Sequence, residues 1–80
     1  MNDAQKQILR KMMDKDVIGK RHTLEDTLKH CLQRKDRGKF NNAIKDLCRQ
    51  GYITKHRTEH GMSYTISPCK VPEIKKLLEL

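Results

Sequence analysis

Four histidines and three cysteines stand among the 80 residues, and these are the side chains best able to hold a metal or act as nucleophiles. His56 and His60 have an H-x3-H spacing, but they straddle the turn signal Glu59-His60-Gly61 rather than sharing a helical face. Cys31 and Cys48 fall on or beside apolar helical stripes and read as small core residues, while Cys69 follows Pro68 in a loop. No pair has the CxxC spacing of a zinc site, so no metal is expected. Glycine-rich phosphate loops, GxSxG and HExxH are missing from the sequence, and His22 near Glu25 is what a polar chain brings together by chance. Neither an enzyme nor a cofactor is expected.

The remaining chemistry is anion binding. Lys and Arg outnumber Asp and Glu by 18 to 10, a net charge of +8. Residues 20–57 hold eleven of these cations against four acids, a net +7, so the flanks are close to neutral. Charge concentrated in this way points to an anionic partner, nucleic acid first among them. Residue usage is 35% apolar and 35% charged, well above the charged fraction of an average domain. A chain of this length supports one small core, so a single domain over 1–80 is expected and a deep catalytic cleft is excluded. No apolar run is long enough to span a membrane. The first residues, MNDAQKQILRKMM, have no apolar region ending in small side chains, so no secretory signal is expected. An odd cysteine count argues against a closed disulfide framework and for a reducing, cytoplasmic setting.

The elements that must position the cations follow from periodicity. Ala4, Ile8, Leu9, Met12 and Met13 form one stripe on a helix over about 3–15, with Asp3 as its N-cap. Asp16-Val17-Ile18-Gly19 breaks the pattern as a turn or very short strand. Thr23 caps a second helix, 24 to about 32, that buries Leu24, Leu28, Cys31 and Leu32. Gln33-Arg34-Lys35 is a polar turn. A third helix starts near Asp36 or Arg37 and runs to Gln50, with Phe40, Ala43, Ile44 and Leu47 on its apolar face. Gly51 ends it as a left-handed C′ residue. From Tyr52 the period changes to two, Glu59-His60-Gly61 is a turn, and 52–66 reads as a hairpin. Pro72 opens a last helix, 72–80, with Ile74, Leu77 and Leu78 on one face and Leu80 at its end.

Helix, short extended piece, helix, turn, helix, hairpin, helix is the order of a mainly α chain with a β-hairpin, an α+β domain. It resembles the winged helix-turn-helix family of small transcription regulators. The resemblance is carried by Phe40-Asn41-Asn42-Ala43-Ile44-Lys45-Asp46-Leu47-Cys48-Arg49-Gln50-Gly51-Tyr52-Ile53. There an apolar residue, two small polar ones, a small one, an aliphatic, two polar residues, Leu and a Gly-aromatic-Ile exit fill the family's slots. It covers roughly residues 4–67.

The resemblance implies duplex DNA as partner, with the 37–50 helix in the major groove. Asn41 and Asn42 would face DNA, where an Asn amide can bond adenine through two contacts. Arg37, Lys39 and Lys45 would reach guanine edges or phosphates, and Arg49 a phosphate. Asp46, acidic near that face, would pair with Arg49 or Lys45 or lie off the contact. The hairpin would be the wing, carrying Lys55, Arg57 and His60. Lys20, Arg21 and Thr23 would offer a phosphate site at the start of the second helix. The last helix would mediate a homodimer or else pack on the first. Two rivals rank lower. RNA binding lacks its exposed aromatic platforms, because the chain has only Phe40, Tyr52 and Tyr64. A protein-interaction module would want an apolar face where this helix carries Asn, Lys and Arg.

Overall fold

The computed structural model describes residues 2–80. Helix α1 spans Asp3–Asp14. Its N-cap is Asn2, one residue before the expected Asp3. The Asn2 side chain accepts from the Gln5 N–H at 2.9 Å, and the Gln5 side chain accepts from the Asn2 N–H at 3.1 Å. This reciprocal pair satisfies two amides that Asp3 at the same place would leave to water. Ala4, Ile8, Leu9 and Met12 are buried as the stripe requires, and Met13 is half-buried.

Helix α1 ends in a left-handed residue, but that residue is Asp16, with φ of +58°. The Val17 N–H donates to the Met12 carbonyl at 2.9 Å and the Asp16 N–H to Met13 at 3.1 Å. Both contacts belong to the helix-closing motif usually built on glycine. The segment 16–19, expected as a turn or very short strand, is a turn carrying one bridge, Ile18 to Ile66.

Strand β1 is Thr23–Leu24, and helix α2 is Glu25–Cys31. Thr23 is therefore not a helix cap. It is buried in the sheet opposite Tyr64, and Leu24 takes the cap position with no side-chain bond. The far edge of the neighbouring strand has main-chain groups to satisfy, and a β-branched residue suits that pleated site. Leu24 is 38% exposed and Cys31 half-buried, so α2 buries Leu28, and Leu32 just beyond it, rather than all four expected residues.

A single helix over 36–50 was also expected, and the chain divides it. Arg34–Lys39 is a 3-10 segment, and α3 proper is Phe40–Arg49. The tighter winding has two local causes. Gly38 gives no helix stabilisation, and the cations Arg34, Lys35, Arg37 and Lys39 crowd what would be the positive end of an α-helix. The third cause comes from α1: the Gln7 side-chain amide donates to Asp36 at 3.0 Å and holds that carboxylate inside. At the other end Gly51, φ +83°, closes α3, with Tyr52 N–H donating to Leu47 and Gly51 N–H to Cys48, both at 3.1 Å.

Strands β2, Ile53–Thr58, and β3, Gly61–Ile66, form the hairpin, whose turn places its positive φ on Gly61. The sheet is antiparallel in the order β1-β3-β2, three strands rather than a bare hairpin. Helix α4 is Val71–Leu78, starting one residue before the expected proline. The core joins Ile8, Leu9 and Met12 of α1 to Leu28, Phe40, Leu47, Ile53, Ile66, Ile74 and Leu78. The result is an α+β domain with four α-helices among the described residues. None of them is long and apolar enough to cross a membrane.

Candidate nucleic-acid interface

The buried residues of α3 fix which side it shows to solvent. Phe40, Ala43, Ile44 and Leu47 are at most 4% exposed, so Asn41, Asn42, Lys45 and Arg49 must point outward, and all four are exposed. The hairpin register supplies the facing wall. Ile53 lies opposite Ile66 and Lys55 opposite Tyr64. Alternate residues of a strand share a face, so Lys55 and Arg57 stand on the same side of the sheet as buried Ile53, the helix side. Between the two walls runs a groove of about 340 Å³, lined by Asn41, Ile44, Lys45 and Cys48 of α3, Lys55 and Tyr64 of the hairpin, and Glu25 of α2.

Two hydrogen-bonded acids shape the electrostatics. At the groove, the Tyr64 hydroxyl donates to the Glu25 carboxylate at 3.2 Å. Burial, and then the Glu25 charge, push the Tyr64 phenol up to about 12, so it remains a donor throughout the neutral range. Burial likewise raises the Cys48 thiol, with Lys55 opposing.

On the α1 side of α3 a second hollow collects Asn2, Gln5, Asn42, Lys45, Asp46 and Arg49. There Asp46 accepts from Gln5 at 2.8 Å, Arg49 at 2.6 Å and Gln50 at 2.9 Å. These donors, Gln5 first, hold its carboxyl below the ordinary range. Asp46 thus pairs with Arg49 rather than Lys45. Arg49 spends its charge locally although its side chain is 81% exposed. The two asparagines part company here: Asn41 borders the hairpin groove, and Asn42 the hollow beside α1.

The other expected contact residues are scattered. Arg37 is half-buried in the 3-10 segment, with its Nε enclosed and without a hydrogen-bond partner. It lies outside α3, in a segment of tighter winding that does not continue that helix's face. Lys39 is exposed but lies at the end of that segment, bordering a hollow with Asp3, Gln7 and Asp36. Lys20 and Arg21 are exposed in the loop before β1, not at a helix start. Thr23 is buried and cannot meet a phosphate. His60 is exposed at the hairpin turn, where its N–H reaches the Thr58 hydroxyl at 3.3 Å.

Three residues of the groove were not expected at an interface from the sequence: Glu25, Cys48 and Tyr64. Only the cross-strand pairing of Lys55 with Tyr64 and the docking of α2 bring them together, and neither leaves a local signature. The contact of His22 with His56, edge to face at 4.4 Å between centroids, is equally silent in the spacing. Among the described residues no three His, Cys, Asp or Glu side chains converge as a metal site would need. Comparison of the chain with family models, curated proteins and solved structures returns no match.

Proposed function

We propose that this chain is a duplex DNA-binding domain of winged helix-turn-helix type that acts as a transcriptional regulator, with α3 in the major groove and the β2–β3 hairpin as the wing. The observation that carries this function is the groove whose one wall is the open, polar face of α3 and whose other wall is a cationic β-ribbon. Asn41 and Lys45 stand across it from Lys55, with Arg57 on the same side of the sheet. A helix is wide enough to fill a major groove, and a two-stranded ribbon set beside it can reach along the adjoining backbone. Lysines supply sequence-independent affinity through phosphates, and the Asn41 amide can report a base edge. No catalytic role is assigned.

Helix α4 sends Ile74 and Leu78 into the chain's own core, leaving Leu77 and Leu80 outside. Packing on α1 therefore accounts for most of its apolar face, and a homodimer through α4 would rest on those two leucines.

Fluorescence anisotropy with a labelled duplex of random sequence tests the proposal directly. Binding should weaken steeply with salt and resist competition by single-stranded RNA. A titration in which duplex leaves the anisotropy flat at low salt, or in which single-stranded RNA displaces it, refutes it.

A further inference from the structure

An acid lining a groove proposed to receive DNA is out of place. Every phosphate that approaches Lys45 and Lys55 is also repelled by Glu25, which lines the same groove. Its position is nonetheless fixed: one carboxylate oxygen accepts from the Tyr64 hydroxyl, and Tyr64 is only 3% exposed, so the donor is anchored in the core. The other oxygen has no hydrogen-bond or ion-pair partner among the described residues. Glu25 itself is only half-buried, so that oxygen is open to a ligand.

Building on the duplex-binding function above, we propose that Glu25 is a specificity-determining residue that reads cytosine. Its free carboxylate oxygen would accept a hydrogen bond from the N4 amino group in the major groove. A carboxylate is an acceptor only, which restricts its partners. Guanine offers N7 and O6, both acceptors, and thymine offers O4, so both are rejected. Adenine has an amino group but sets the N7 lone pair beside it, where a carboxylate meets repulsion. Cytosine presents the amino group without that neighbour. Asn41, on the opposite wall, carries both a donor and an acceptor and is free to read an adjacent base. The repulsion from phosphate then has a use, because a groove with an unanswered acid binds random DNA less well than its site.

The test is selection of a randomised duplex pool by three proteins, the wild type, Glu25→Gln and Tyr64→Phe, each checked for folding by urea titration. Glutamine keeps an acceptor for Tyr64 and puts an amide donor where the free carboxylate oxygen stood. The wild type should select a position fixed as cytosine, discriminated about tenfold over the other bases. Glu25→Gln should lose the cytosine preference, move that position to bases that present an acceptor, and raise affinity for random duplex. Tyr64→Phe should blunt the cytosine preference without redirecting it. If the wild type selects a motif that Glu25→Gln leaves unaltered, with affinity rising equally for all sequences, Glu25 is only a repulsive or structural group and the inference fails. If the wild type retains no duplex at low salt, the DNA-binding function fails with it.

Discussion

The salt dependence of binding can be worked out residue by residue. Eight cationic side chains belong to the expected contact surface: Lys20, Arg21, Arg37, Lys39, Lys45, Arg49, Lys55 and Arg57. Arg49 is tied to Asp46 at 2.6 Å, and Arg37 has its Nε enclosed. Six remain exposed with no acid within ion-pair distance among the described residues. If each neutralises one phosphate, log K falls against log salt with a slope of about −5.4, a loss of roughly 2,000-fold between 50 and 200 mM. Replacing Lys45 and Lys55 together with alanine removes two of the six. The slope should flatten to about −3.6 and the same salt step should cost only about 150-fold. Arg49→Ala is the internal control, because its charge is already answered, and it should change the slope by much less than one. Anisotropy titrations at five salt concentrations read all three slopes. An unaltered slope in the folded double variant, or an Arg49→Ala slope that flattens as much as one groove lysine does, would show that the charges have been placed on the wrong surface.

Five further outcomes follow from the geometry. Asn41→Ala should lower affinity for a selected site more than Asn42→Ala, since only Asn41 borders the groove; competition titrations compare them. Gln5→Ala removes both the capping-box acceptor and the bond to Asp46, and should cost about 1–2 kcal/mol in urea unfolding. Asp46, whose folded carboxyl sits below its unfolded value, adds stability that is present above about pH 4 and lost as pH falls through the folded value. Asp46→Asn should therefore remove part of the acid-side decline measured by thermal melts between pH 5 and 2. Asp16→Gly relieves a left-handed side-chain residue and should stabilise by roughly 0.5–1 kcal/mol, less whatever flexibility it adds to the unfolded chain; a fall in melting temperature would count against strain at that turn. Sedimentation should show a monomer, which Leu77→Ser leaves unchanged; a dimer lost on that change would return α4 to the role of an interface.

What could be read from sequence was what local chemistry decides. The 3.6 period of Phe40, Ala43, Ile44 and Leu47 gave the buried face of α3, and through it the outward direction of Asn41, Lys45 and Arg49. Gly51 marked the end of that helix, and the change of period at Tyr52 marked the hairpin. Several of the misreadings originate in partners far along the chain. Gln7 reaches Asp36 across 29 positions and helps turn a predicted α-helical start into a 3-10 segment. Gln5 reaches Asp46 across 41 and removes an acid, and with it Arg49, from the free charge of the surface. Thr23 has the composition of a cap, and only the presence of β3 beside it makes it a strand. At the groove, two lysines and an asparagine were visible as types, but the acid that stands among them was not, because its place depends on the docking of α2 against Tyr64.

The strand order β1-β3-β2 also governs when the domain can assemble. The middle strand, Gly61–Ile66, is the last of the three to leave the ribosome, and both edges wait for it. Ile66 carries the longest link, with its N–H bonded to Val17 at 3.0 Å and its carbonyl accepting from Gly19 at 3.1 Å. A chain that stops at residue 60 therefore keeps the local bonds that close α1 but lacks the link from that turn to Ile66. Ile8, Leu9 and Met12 then have α2 and α3 to pack on, but not yet β3 and α4. Ribosome-tethered lengths probed by protease should gain full resistance only once Ile66 has emerged.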